Sequence, residues 1–251
     1  MATVVAGEAI RVETGQKRVR AYAGGHLVAD TMRPLLVWEH RAYPLYYIPR
    51  IDVLATLRPT GEVRRSEKLG DGEVHDVEIG GQTIEGAALI RARSESAELR
   101  DAVRFEWKAM DEWLEEDEPV YTHPRNPYTR IDILASSRHV RIELDSISIA
   151  ETRQPRILFE THLMPRYYMP LSDVRLDLLR PSERVTHCPY KGAATYWSVD
   201  TGTRLHPDIV WMYRSPLAES QKIAGLASFY DERCDLFFDG LKQERPRPPF
   251  R

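Results

Sequence analysis

The sequence predicts a mainly β protein built from two tandem copies of one small sheet domain, with few short helices. Three observations predict it: a long internal repeat, short segments in which apolar and polar residues alternate, and turn residues that separate them. Shifting the chain by 121 positions lays IRVETGQKRVRAYAGGHLVADTMRPLLVWEHRAYPLYYIPRIDV, from Ile10, onto IDILASSRHVRIELDSISIAETRQPRILFETHLMPRYYMPLSDV, from Ile131. Thirteen of these 44 pairs are identical without a gap, including Glu39 with Glu160, Tyr46 with Tyr167, Tyr47 with Tyr168 and Pro49 with Pro170. After one inserted residue, Arg58-Pro59 meets Arg180-Pro181. A unit this long exceeds a solenoid repeat and reads as a duplicated domain. The boundary is expected within EPVYTHPRNPY, near Pro119 to Tyr128, where prolines and an asparagine follow an acidic run. The two domains are therefore read as residues 1–122 and 123–251.

The elements follow from periodicity. In RIDIL, HVRIEL and SISIAE, apolar residues such as Ile131, Ile133, Val140, Ile142 and Leu144 alternate with polar ones, the period of a half-buried strand. PLLVWE and PRILFE are short apolar runs opened by proline, as expected of strands buried on both faces. ATYWSV is an aromatic-rich strand that puts Tyr196 and Trp197 on opposite sides. FYDERCDLFF reads as two strands joined by a tight turn, and the repeat makes Val103 to Trp107 a strand as well. Leu99, Val103, Trp107, Met110 and Leu114 fall at helical spacing, so a short helix is expected over Ala109 to Glu116. The acidic residues of DEWLEEDE read as a solvated face.

With 42% hydrophobic and 29% charged residues, the 251-residue chain can bury a core without staples. A net charge of −3 argues against a dedicated nucleic-acid binder. No apolar run approaches the ~18 residues of a membrane span, and MATVVAGEAIRVE lacks the pattern of a signal peptide. A cytoplasmic location is expected, with Cys188 and Cys234 as thiols. The eight histidines include no i, i+4 pair and the cysteines form no CxxC, so neither a metal nor a cofactor is expected. Nucleotide fingerprints and a GxSxG elbow are also missing from the sequence.

The segment HCPYKGAATYW, His187 to Trp197, concentrates what chemistry there is. A turn over Pro189 to Gly192 would bring Cys188 and Lys191 together, and a nearby cation favours a reactive thiolate. Glu160 closes an apolar strand, where a carboxylate needs a donor, and it could orient Lys191 or move a proton. The functional reading makes Cys188, Lys191 and Glu160 the catalytic candidates and Tyr167, Tyr168, Tyr190 and Tyr196 the lining of a pocket. The plainer alternative makes Cys188 a small buried hydrophobe, Lys191 a solvated turn residue and the aromatics core. Opposite this segment the first copy reads EKLGDGEVHDV, with Gly72 answering Gly192 and none of the reactive groups retained.

PLLVWE, YYIP followed by DV, CPYKGAATYWSV and FYDERCDLFFDG together resemble the family catalogued as domain of unknown function 427. The resemblance covers Val140 to Gly240 in the second copy and reaches Asp52-Val53 in the first, which departs at EKLGDG. It implies a β-tent-like fold, similar to methionine sulfoxide reductase B and the drug-binding domain of cereblon. Those relatives carry a zinc knuckle whose paired cysteines this chain lacks. The nucleotidyltransferase label sometimes attached to the family would require a carboxylate pair, for which only Asp76-Val77-Glu78 offers itself. Three functions stay open: an enzyme using Cys188 or Lys191, a non-catalytic module for a small molecule or peptide, and a structural protein. The ligand is an unknown small molecule, and the oligomeric state is not set by the sequence.

Overall fold

The computed structural model describes residues 10–246, and the chain divides into two compact units, Met1–Asn126 and Pro127–Arg251. Each unit holds a seven-stranded and a four-stranded antiparallel sheet. In the second, the large sheet runs Ile131–Ala135, Arg156–Glu160, Arg166–Met169, Ala227–Phe229, Leu205–Met212, Gly192–Asp200 and Leu179–Cys188. The small sheet runs Ile147–Thr152, Val140–Leu144, Asp235–Phe238 and Leu241–Lys242. The first unit repeats both orders, with Val12–Thr14 and Thr56–Arg64 at the edges of its large sheet.

The alternation seen in the sequence decides which face each side chain covers. Between the two sheets of the second unit lie Val140, Ile142, Ile149, Ile157, Met169 and Phe229, all buried. The opposite face of its large sheet carries a second cluster with Ile133, Leu158, Tyr168, Tyr196 and Trp211. Ile157 and Leu158 thus point to different cores, which explains the continuous apolar run of PRILFE, although Phe159 beyond them is 42% exposed. Tyr196 and Trp197 split between the two faces in the same way.

Several shared residues are structural. The Thr31 hydroxyl donates to Asp52 at 2.7 Å and that of Thr152 to Asp173 at 2.5 Å. Beside them Ala29 bridges Val53 and Ala150 bridges Val174, tying the small sheet to the turn that leaves the large one. Pro59 and Pro181 lie on edge strands just before bulges, where a missing amide hydrogen costs no interior ladder bond.

Two expectations are overturned. Residues 109–116 do not form a helix: Glu112–Glu115 is a strand paired with Val19–Ala23, and Trp113 is buried against Trp107 with ring centroids 4.9 Å apart. Sheet pairing and burial of Trp113 outweigh a helical spacing that belonged to residues of several different elements. The two strands of FYDERCDLFF do not form a hairpin either, because Ala227–Phe229 belongs to the large sheet and Asp235–Phe238 to the small one.

Candidate functional site

The site builds up on the face of the second unit's large sheet that turns away from the small sheet. Arg156–Glu160 ends with Glu160 at the rim, and the pairing of Cys188 with Gly192 closes a three-residue turn that carries Lys191. Gly192 adopts φ +92°, a left-handed conformation that costs a β-carbon-bearing residue energy. The turn is anchored from behind. The Leu217 amide donates to the Lys191 carbonyl at 3.2 Å and the Ser220 hydroxyl donates to the Tyr190 carbonyl at 3.3 Å.

Lys191 Nζ donates to Glu160 Oε2 at 2.5 Å, with both side chains about nine-tenths buried. Such a pair is costly to desolvate and more costly to break singly, since the survivor is left unpaired. Above it lies a cleft of about 190 Å³ whose walls include Tyr168, Tyr196, Trp211, Tyr213 and Tyr230. Leu163 and Met164, on the loop after Glu160, complete the apolar rim. Trp211 Nε1 donates to the Tyr168 hydroxyl at 3.2 Å, and the Tyr196 hydroxyl meets Thr186 Oγ1 at 2.8 Å. Burial pushes the phenols of Tyr168 and Tyr213 well above the usual range, and that of Tyr230 up to about 12, so their hydroxyls stay protonated at neutral pH.

On the flank, Arg166 grips Glu232 with two hydrogen bonds of 2.9 and 2.5 Å and lies 3.6 Å from Asp231. Asp231 is 4% exposed, and burial raises its carboxyl to about 7 despite the nearby guanidinium. Arg166 also lies over Trp211 and Tyr230, at 5.5 and 5.9 Å from the ring centres, which fixes those walls.

Of the residues singled out from sequence, Glu160, Lys191, Tyr168 and Tyr196 come together in this cleft. Tyr167 lies on the other face of its strand, packed on Phe238 in the inter-sheet core. Tyr190 is buried in the turn, and half-buried Cys188 ends the strand that leads into it; neither lines the cleft. Arg166, Trp211, Tyr213 and Tyr230 were not anticipated. Asp76 accepts the Gly86 amide at 2.8 Å and Glu78 forms an ion pair with Arg58, so both acidic residues of the DVE segment have structural partners.

Ladder registers place the copies on one another and correct the match of Gly72 with Gly192. His75 pairs with Pro59 and Ala88, as Trp197 pairs with Pro181 and Val210, so the offset here is 122. Gly192 therefore answers Gly70, which also has a left-handed backbone, φ +79°. Lys191 answers buried Leu69, Cys188 answers Ser66, and Tyr213 answers Arg91. The next ladder, Ala88 with Phe105 and Val210 with Phe229, sets Ser228 against Arg104 and Tyr230 against Glu106.

These exchanges fill the corresponding place in the first unit. Glu39 accepts from the Tyr47 hydroxyl at 2.7 Å and from Arg104 at 3.5 Å, and Arg91 lies 3.9 Å away. Arg91, 4% exposed, also donates to the Tyr47 oxygen at 3.0 Å and the Gly70 carbonyl at 2.5 Å. Two guanidinium groups occupy the space that Tyr213 and Ser228 leave beside Glu160. The loop after Glu39 is covered as well, by stacking of Tyr43 on His123 at 3.6 Å and an Asn126 bond to the Ala42 carbonyl.

A larger cleft of about 330 Å³ lies elsewhere on the second unit, but charged residues dominate its lining and several are already paired. His206 pairs with Asp145 at 2.7 Å and Arg245 with Asp235 at 2.9 Å. The smaller cleft combines apolar walls with a few convergent polar groups, the usual character of a ligand site.

Fold and site together define a duplicated, mainly β protein in which one copy keeps an aromatic-walled cleft. Both copies match the family described as Domain of unknown function (DUF427), over residues 11–116 and 132–240, and the chain belongs to that family. No curated protein matches the chain. Among the described residues, no helix is long and apolar enough to cross a membrane and no group of His, Cys, Asp and Glu is arranged to hold a metal ion.

Proposed function

We propose that the second unit binds a small molecule in the cleft above the Lys191–Glu160 pair, and that the first unit is a filled, structural copy. The observation that carries this reading is the exchange of Arg91 and Arg104 for Tyr213 and Ser228. It removes two guanidinium groups beside a shared carboxylate while adding an aromatic wall. Retaining a buried ion pair at an otherwise apolar opening costs stability that a purely structural sheet face need not accept. At about 190 Å³ the cleft exceeds the roughly 150 Å³ cavity that accepts benzene, so a single ring with one polar substituent fits it.

Native mass spectrometry on protein purified gently from its source tests the reading. A retained small-molecule mass is expected in the wild type and is lost in a Tyr213→Arg/Ser228→Arg variant that folds normally. An intact protein that never carries such a mass, and binds no single-ring compound, contradicts it. The thiol offers a separate check on nucleophilic chemistry. Cys188 shares the sheet face of Ala194 and Tyr196 but does not line the cleft, so Cys188→Ser is expected to bind unchanged, whereas rapid, selective alkylation of Cys188 that occupancy blocks would favour a catalytic thiol.

A further inference from the structure

The head group of the ligand can be read from the ion pair, on the assumption that the cleft is the binding site. Lys191 has three donor hydrogens and spends one on Glu160 Oε2, while Glu160 Oε1 accepts from none of the described residues. The pair therefore still offers two donor hydrogens on Lys191 beside acceptor lone pairs on Glu160. A ligand bearing a lone negative charge would compete with Glu160 for Lys191, and a cationic one would compete with Lys191 for Glu160. Arg166 offers little to an anion because its fork is taken up by Glu232, with Asp231 close behind.

We infer that the cleft takes a neutral single-ring molecule with a carboxamide head, its oxygen accepting from Lys191 and its nitrogen donating to Glu160. The two heteroatoms of a carboxamide share one carbon and lie about 2.2 Å apart by standard bond lengths. This is close to the 2.5 Å between Lys191 Nζ and Glu160 Oε2, whose second lone pair takes the amide hydrogen, so both hydrogen bonds form without opening the pair. The ring then lies among Tyr168, Trp211 and Tyr230, in the offset or edge-on contacts that aromatic rings prefer. No bond is made or broken in this step.

Four probes of one shape separate head-group charge from ring: benzamide, benzoate, benzamidine and toluene. Titrated by calorimetry into the full chain, benzamide is expected to bind at least tenfold more tightly than each of the others. Glu160→Gln frees Lys191 from its carboxylate, and the preference is then expected to turn to benzoate. Tighter binding of benzoate or benzamidine by the wild type overturns the assignment. If none of the four binds while a native mass is retained, the head-group class is wrong and the pocket stands. If none binds and no mass is retained, both fall.

Discussion

The two copies share a backbone plan, a Glu–Tyr pair and a left-handed glycine turn, yet they solve the burial of one carboxylate in opposite ways. In the first, Glu39 is surrounded by Tyr47, Arg91 and Arg104, and the face is closed. In the second, Lys191 is the one side chain among the described residues bonded to Glu160, and the volume vacated by the guanidinium groups is lined with rings. Duplication lets one sheet face be fixed for stability while its twin keeps an opening. The shared carboxylate alone therefore does not mark a functional site; the groups that meet it do.

This contrast can be broken most sharply at the cations. Arg91→Leu removes the centre of a buried network and is expected to destabilise the protein by about 3–5 kcal/mol in denaturant titrations. Lys191→Leu, copying Leu69, is expected to cost only about 2 kcal/mol, because Glu160 then faces an open cleft that water can enter. Equal costs would mean that the second copy is as closed as the first.

The pH effect of a buried carboxyl that holds its proton should come from the second unit. Asp231 holds its proton up to about 7 when folded, against 3.8 for the ordinary carboxyl, and its counterpart in the first unit is Trp107. Between those values the folded state binds the extra proton, so stability falls as pH rises from about 4 to 7. The full shift corresponds to roughly 4 kcal/mol at 1.36 kcal/mol per unit, an upper bound on the effect. Asp231→Asn is expected to flatten the profile and raise the melting temperature at pH 8; an unchanged profile would remove Asp231 as its source.

Smaller differences are expected at the paired tyrosines. Tyr47→Phe strips a partner from both Glu39 and Arg91 and should cost about 1–3 kcal/mol, whereas Tyr168→Phe loses only the acceptor of Trp211 and should cost about 1 kcal/mol or less. Reversal of that order in equilibrium unfolding would place the tighter polar network in the second copy.

Much of the fold was legible because duplication and strand alternation are local signals: Val140, Ile142 and Leu144 point inward as their spacing requires. The pairing of Thr31 with Asp52, and of Thr152 with Asp173, accounts for identities that the repeat exposed without explaining. The division of each copy into two sheets was not legible, since a turn such as that between Phe229 and Asp235 looks the same whether or not the strands it joins pair together. Half of the site was visible in Glu160, Tyr168, Lys191 and Tyr196. Tyr213 and Tyr230 were hidden because small length changes move the offset from 121 to 122 and then to 124, and only ladder registers recover Arg91 and Glu106 as their counterparts. Matching Gly72 with Gly192 used an offset of 120, two short of the 122 that the ladders give, and so missed Gly70.

The central claim is that an open aromatic cleft distinguishes the second copy, and ligand-observed NMR with a panel of single-ring fragments tests it most directly. Fragments that receive saturation from the wild-type chain are predicted to lose it in a Tyr213→Arg/Ser228→Arg variant with unchanged circular dichroism. Equal saturation in both proteins, or none in the wild type, would contradict the account.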